Sequence, residues 1–371
     1  MKKMFFVFVM LFLSQYVKSA DISNFSQGTP PQGMRGKPIN LPDVSALVNI
    51  VGYTSDDKKD EGRNDLYINE VETAFQGYIY PEMRADIILA IHKHGDEYET
   101  EICEAKASFL NLGYGFSAEI GKVHIDFGKL NKLHTHHLPT TDRPFVLEKF
   151  LGEHELGGQG MTLKYLIPVL PFYSQLQAGF WKINAHHHDE EDHHDSSFSP
   201  ADKVYTARWN SSFEIGSQKE LEVGFSGLKG RGPHYKHPEE NMRFNDNVEI
   251  VGLDITFKWF PSSYKKLTFQ NEWLHLRREV PTGKINRDGF YSFINYRANK
   301  YFDYGLRFDY SENAFPDISY ERAFSAIITG HLTETSFWRL TGKHRNINGK
   351  KVTEAWIQLS FGIGPHSHEL E

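Results

Sequence analysis

FDYGLRFDY, residues 302–310, sets Phe302, Tyr304, Leu306, Phe308 and Tyr310 on alternate positions, with Asp303, Arg307 and Asp309 among the residues between them. Apolar residues recur every second position. That is the period of a strand with one apolar and one polar face, not the 3.6 of a helix. KVYTARWNSSFEI, 203–215, repeats the pattern, with Tyr205, Ala207, Trp209, Phe213 and Ile215 opposite Thr206, Arg208, Asn210 and Glu214. NVEIVGLDITFKW, 247–259, does so again, with Val251, Leu253, Ile255, Phe257 and Trp259 opposite Asp254, Thr256 and Lys258. About sixteen such segments run from 44–53 to 351–361, among them 100–111, 114–124, 159–167, 265–277, 289–298 and 335–345.

Composition narrows what these strands build. Hydrophobic residues make up 39% of the chain and aromatic residues 14%, which is too polar for a helical membrane protein and rich in aromatics for a soluble one. Beyond the first twenty residues no apolar run nears the ~20 that a membrane helix needs. A transmembrane antiparallel up-and-down β-barrel reconciles the figures, since its strands show alternate residues to lipid and keep a polar interior. A secreted β-sandwich alternates too, but it requires no regular rhythm of short and long connections over so many strands. Here connections after even-numbered segments are short, as in Tyr80-Pro81-Glu82 and Asn299-Lys300-Tyr301, and most of the others are longer and more polar. Outer-membrane barrels have short periplasmic turns and long outer loops, so the chain is expected to enter from the periplasm.

Residues 1–20 read as a signal peptide: Lys2 and Lys3, an apolar run from Met4 to Leu13, then Ser19 and Ala20. Residues 21–43, rich in Gly, Pro and polar side chains, read as a flexible periplasmic arm, residues 44–363 as an outer-membrane barrel and residues 364–371 as a C-terminal tail. Cys103 is the single cysteine, so no internal disulfide contributes. The formal charge of -7 becomes -10 once Lys2, Lys3 and Lys18 are removed, a balance that disfavours nucleic acid and favours cationic ligands. The expected partners are outer-membrane lipid and divalent metal ions, in a barrel of a size compatible with a homo-trimer.

Two connections carry candidate chemistry. The longest, from about Ile125 to Gly158 between the fifth and sixth segments, holds His134, His136 and His137, then Glu153, His154 and Glu155, with His124 just before it. A loop that long is functional or disordered, and imidazole with carboxylate is an ordinary ligand set for Zn²⁺. Scattered polar lining of a hydrated pore is the plainer alternative. Lys129, Lys132, Asp142 and Arg143 in the same loop would either set a transverse field at a pore constriction or fix the loop by pairing with wall charges. The other connection, AHHHDEEDHHD at 185–195, presents His186, His187, His188, His193 and His194 beside five carboxylates. It is expected to face outward as a weak, multivalent metal-capturing loop, or as a plain solvated acidic one. His92 and His94, at the end of a strand, are expected to line the outer mouth of the lumen with His124.

No enzyme signature is present: Ser226 in GFSGLKG, 224–230, falls in a strand rather than on a strand-to-helix elbow. The block GKLNKLHTHHLPTTDRPFVLEKFLGEHEL, 128–156, with NEVETAFQGYIYPEMRADIILAIHKHG, 69–95, and the closing FGIGPHSHELE, resembles the zinc-regulated TonB-dependent outer membrane receptor family. The resemblance lies in Gly128, Lys129, Asn131, His134, His136, Leu138, Pro139, Asp142, Arg143 and Pro144, and in Gly364, Pro365 and His366. It implies a porin-sized barrel associated with zinc. The first strand starts near Val44, which leaves no plug domain through which an energy-coupling partner would act. The expected function is passage of small solutes, above all zinc or another divalent cation carried or loosely bound. A non-transporting surface metal-binding barrel and an anion-selective porin are the alternatives.

Overall fold

A computed structural model describes residues 41–365 apart from 61, 95–96, 184–197, 233–245, 281–282, 316–318 and 334. The sections read as signal peptide and arm, the tail from 366, and AHHHDEEDHHD therefore lie outside the described residues, except at Leu41, Pro42 and Asp43. Sixteen strands follow one another: β1 (Asp43–Ser55), β2 (Asp65–Tyr80), β3 (Met83–His94), β4 (Glu97–Phe109), β5 (Phe116–His124), β6 (Gly157–Leu166), β7 (Tyr173–Ile183), β8 (Ala201–Glu214), β9 (Lys219–Arg231), β10 (Asn247–Ser262), β11 (Lys265–Val280), β12 (Gly283–Arg297), β13 (Phe302–Glu312), β14 (Tyr320–His331), β15 (Phe337–Ile347) and β16 (Lys350–Ile363). Each pairs antiparallel with its neighbours, and β1 closes on β16 from Ala46 opposite Ile363 to Ser55 opposite Glu354. Closure leaves no open edge, which is what allows strands to cross a bilayer with their backbone groups satisfied.

The alternation in FDYGLRFDY is carried out in space. Phe302, Tyr304, Leu306 and Phe308 are exposed on the outside, while Arg307 and Asp309 are 1% and 0% exposed inside. Arg307 Nε donates to Asp309 Oδ2 at 2.7 Å, so the inward charges arrive paired. Round the barrel the same outward set recurs, including Leu163, Leu176, Phe225, Leu253, Ile255, Ile294, Leu306 and Ile328. Tyr78, Tyr80, Tyr114, Tyr173, Trp259, Tyr264 and Tyr301 are exposed close to the short turns. An apolar band of this extent is untenable in water and suited to acyl chains, with aromatics at the headgroup level. The chain is a bacterial outer-membrane protein.

The rhythm of connections is less regular than expected. The connections 125–156, 184–200 and 232–246 are long, but those at 95–96, 281–282 and 348–349 have only two residues each, as few as any of the connections after even-numbered strands. The strands outrun the segments read from sequence because cross-strand polar pairs carry the ladder past the lipid belt. Glu279 faces Lys284 in register, with Oε1 and Nζ 3.1 Å apart. At 348–349, Asn348 and Gly349 both take positive φ, 50° and 94°, the backbone of a two-residue hairpin.

Candidate functional site at the inward loop

The connection 125–156 folds into the barrel, and its neck shows why. Ile125 N donates to Leu156 O at 2.9 Å. Asn131 sits across the same gap: its Nδ2 donates to the carbonyls of Ile125 (2.8 Å) and Leu156 (3.1 Å), and its Oδ1 accepts from Leu156 N (2.9 Å) and Arg143 Nη2 (3.2 Å). One buried amide thus satisfies four partners, the full use of its donors and acceptor. Gly128 is required where it stands. Its φ is +64°, and a Cβ would lie 1.7 Å from Glu272 Oε1, so the backbone passes against the wall where no side chain fits. Its N–H donates to Ser226 Oγ at 3.1 Å, and Ser226 also receives Arg208 Nη1 at 2.7 Å.

Apolar residues then fix the loop to one half of the wall. Phe127, Leu130, Val146, Leu147, Phe150 and Leu151 are buried in one cluster with Val204, Leu228, Val248, Ile250, Leu274, Leu276, Tyr291 and Phe293 of β8 to β12. The last four of these loop residues belong to α1 (Phe145–Leu151), a helix that starts after Pro144 and stops at Gly152, whose φ is 117°. Burying six such side chains is worth about 1.5–3 kcal/mol each before chain entropy is charged, enough to hold an otherwise polar segment inside.

The loop's polar side turns to the opposite wall. A 3-10 turn, Thr135–His137, follows His134 and presents the histidines towards β2. His134 Nδ1 lies 3.0 Å from Glu72 Oε2. His136 Nδ1 lies 3.6 Å from Glu70 Oε2 and 3.7 Å from Glu72 Oε2. The His124 and His134 rings stand 4.4 Å apart, and those of His136 and His137 4.1 Å. Glu104 Oε1, on β4, accepts the His124 backbone N–H at 3.1 Å. Ligand atoms of Glu104, His124 and His134 lie within 4.8 Å of one another, and so do those of Glu70, Glu72 and His134. Burial opposes charge on His134, but the contact with Glu72, with Glu104 and Glu155 behind it, prevails and lifts its pKa to about 9. Burial also pushes Glu155 up, and Arg143, His124 and His134 outweigh that to hold it at about 2. Arg143 Nη1 is 3.4 Å from Glu155 Oε1, so this arginine pairs within the loop.

Asp142 reaches a third part of the wall. It receives Arg307 Nη2 at 2.8 Å and is paired with Lys343 of β15 as well, while its backbone carbonyl takes Arg307 Nη1 at 2.8 Å. Beside it Thr141 Oγ1 and Thr341 Oγ1 are 2.8 Å apart. Burial would raise Asp142, and the two cations draw it to about 2. Lys129 Nζ donates to Glu222 Oε2 of β9 at 2.6 Å. Lys132 is half-buried and lies near enough to Asp126 to lower that carboxyl.

The structure divides the remaining histidines. His154 is exposed and stands apart from His134; its ring is 5.5 Å from that of His92, whose Nε2 is 3.8 Å from Glu101 Oε2. His94 ends β3 opposite Glu97, and its side chain lies outside the described residues. So do His186, His187, His188, His193 and His194. Glu70, Glu72 and Glu104, which face the loop histidines, were not singled out from sequence. For the first two the signal is present: in NEVETAFQ, Glu70, Glu72, Ala74 and Gln76 share the inward face of β2.

No family profile matches the sequence. An uncharacterized protein of Aquifex aeolicus is 29% identical over an alignment spanning 88% of this chain and 79% of that one. Among solved structures, the anion-selective porin of Comamonas acidovorans aligns with a TM-score of 0.58 at 10% identity, over 87% of this chain and 99% of that one. The trimer form of OmpT, an outer membrane protein of Vibrio cholerae, aligns with a TM-score of 0.55 at 9% identity over the same shares. At such identities the likeness is one of fold: a porin-sized, sixteen-stranded outer-membrane barrel.

Proposed function

We propose that the protein is a passive outer-membrane channel for small hydrophilic solutes, with divalent cations, zinc first among them, as the favoured cargo. The observation that carries the reading is the loop itself. It crosses the lumen from Glu72 on β2 to Arg307 on β13, and so narrows the way through with charged groups on both flanks. On the β2 and β4 side Glu70, Glu72 and Glu104 meet imidazoles, an acidic environment that draws cations towards the constriction. The resemblance of block 128–156 to the zinc-regulated family supports zinc over other divalent ions. The named porin among the structural neighbours supports a channel, and the trimeric neighbour supports a trimer as the working assembly.

Planar-bilayer recording tests this. Purified protein should give discrete single-channel steps, a reversal potential in a KCl gradient that favours K⁺, and zinc entry into liposomes loaded with a zinc dye. A reversal potential favouring chloride would make the anion-selective reading the correct one. Silence in both assays would leave a surface metal-binding barrel.

A further inference from the structure

We infer that His134, His124 and Glu104 form a binding site for one divalent transition-metal ion of the Zn²⁺ class, which when filled clamps the inward loop to the wall at β4 and β5. The inference goes beyond the channel reading and does not depend on it. A clamp that holds its ion is a different device from a pathway that lets ions through.

Three separate segments supply the ligands: the loop, β4 and the last residue of β5. Their ligand atoms already lie within 4.8 Å of one another. Tetrahedral ligands at about 2.0–2.1 Å from zinc stand roughly 3.3 Å apart, so filling the site asks for a closure of about an ångström. The surroundings are those of a metal-bound imidazole. Glu72 lies 3.0 Å from His134 Nδ1, which orients the ring and leaves Nε2 for the ion, the carboxylate-histidine arrangement that supports metal ligands. His124 Nδ1 is shielded from solvent and has no hydrogen-bond partner among the described residues. A ligand nitrogen with nothing to bind is hard to account for in a purely structural ion-pair network. Glu104 is 6% exposed, with Oε1 taking the His124 N–H at 3.1 Å and Oε2 the Lys106 ammonium at 2.9 Å. Each oxygen keeps a second lone pair. Glu70, Glu72, Glu104 and Glu155 outnumber Arg143 and Lys106 nearby, so a dication is electrostatically at home.

The test uses the full chain, folded in detergent, with His186, His187, His188, His193 and His194 changed to Gln so that residues 185–195 offer the probe no imidazole. Co²⁺ alone serves as the probe, because its visible ligand-field bands report nitrogen and oxygen ligands. One equivalent should produce the bands, and one equivalent of Zn²⁺ should abolish them and slow trypsin cleavage at Lys129 and Lys132. His134→Gln and His124→Gln should each lose the stoichiometric band, and His154→Gln should keep it. Heat-dependent mobility on gels checks folding; if either histidine variant fails it, the near-isosteric Glu104→Gln takes its place and should likewise lose the band. Absence of a one-equivalent band in the parent, or its survival in the histidine variants, overturns the site. Current recorded on the same samples separates the two readings: binding without current ends the channel and keeps the clamp, and current without binding does the reverse.

Discussion

The two arms of the inward loop meet the barrel by opposite means. The first arm brings bases to an acidic wall: His134 and His136 approach Glu70 and Glu72, none of the four more than slightly exposed. The second brings an acid to a basic wall, where Asp142 lies between Arg307 and Lys343, and then buries α1 in an apolar surface. Charge complementarity alone would serve a loop docked either way. The difference lies in what each arm can release. Imidazoles can give up a proton for a metal ion, whereas guanidinium and ammonium groups do not. The second arm therefore anchors, and the first is where occupancy can change.

Removing the anchor should have the largest effect. Asp142→Asn removes the carboxylate that pairs with Lys343, whose Nζ then has the rings of Phe145 and Trp356 at 4.8 and 4.9 Å, and leaves Arg307 with Asp309 and the backbone carbonyl of residue 142. Stranding a buried cation in this way should cost about 3 kcal/mol of loop docking, at the lower end for buried pairs because Asp142 is not wholly shielded. Urea unfolding of the refolded barrel should show a lower midpoint, and the reversal potential should move towards anions. An unchanged reversal potential would mean that Asp142 lies off the conduction path and only braces the loop.

The neck comes next, since it serves both arms equally. Asn131→Ala strands the carbonyls of Ile125 and Leu156 and the Leu156 N–H, and it frees Arg143 from one of its partners. The loss should be about 2 kcal/mol, felt as loop mobility with the barrel intact. Trypsin should cut the loop faster while gel mobility stays that of the folded form. If single-channel current becomes noisy in this variant and stays quiet in Asp142→Asn, the neck rather than the anchor sets the loop's position.

Much of this is legible in the sequence alone. Alternation in FDYGLRFDY and its fellows is a local property of successive residues, so strands and barrel follow from counting by two, and the connection 125–156 stands out by its length. The partners of that loop are not local. Glu104 escapes the count because β4 bulges at Cys103, the extra residue opposite the step from Ile88 to Leu89, so that Cys103 and Glu104 are both buried and the parity of β4 reverses. Glu70 and Glu72 lie on a countable face, but nothing in the spacing from residue 72 to residue 134 says that they meet. Tertiary path decides that. The short connections at 281–282 and 348–349 escape it for a related reason: towards these strand ends both faces are polar, and the period-two signal disappears although the ladder continues.

The smallest effect expected is a titration that sets the arms apart. Glu148 in α1 is pushed up to about 7, first by burial and then by the negative Asp142, with Lys343, Arg345 and Lys149 pulling the other way. A carboxyl with a raised folded pKa favours the folded state fully below its unfolded value of 4.5, and that contribution is lost as pH rises through about 7. Asp142, held at about 2, behaves oppositely: its contribution is present above 3.8 and is lost only as pH falls towards 2. Between pH 6 and 8 the second arm should therefore gain one negative charge from Glu148 with Asp142 unchanged. Reversal potentials across that range should drift towards cations as pH rises, and Glu148→Gln should flatten the part of the drift that belongs to this arm. Whatever drift survives in Glu148→Gln and disappears on adding His134→Gln belongs to the first arm, so one pair of variants apportions the pH response between them. A drift untouched by either substitution would place the titrating group outside the loop altogether.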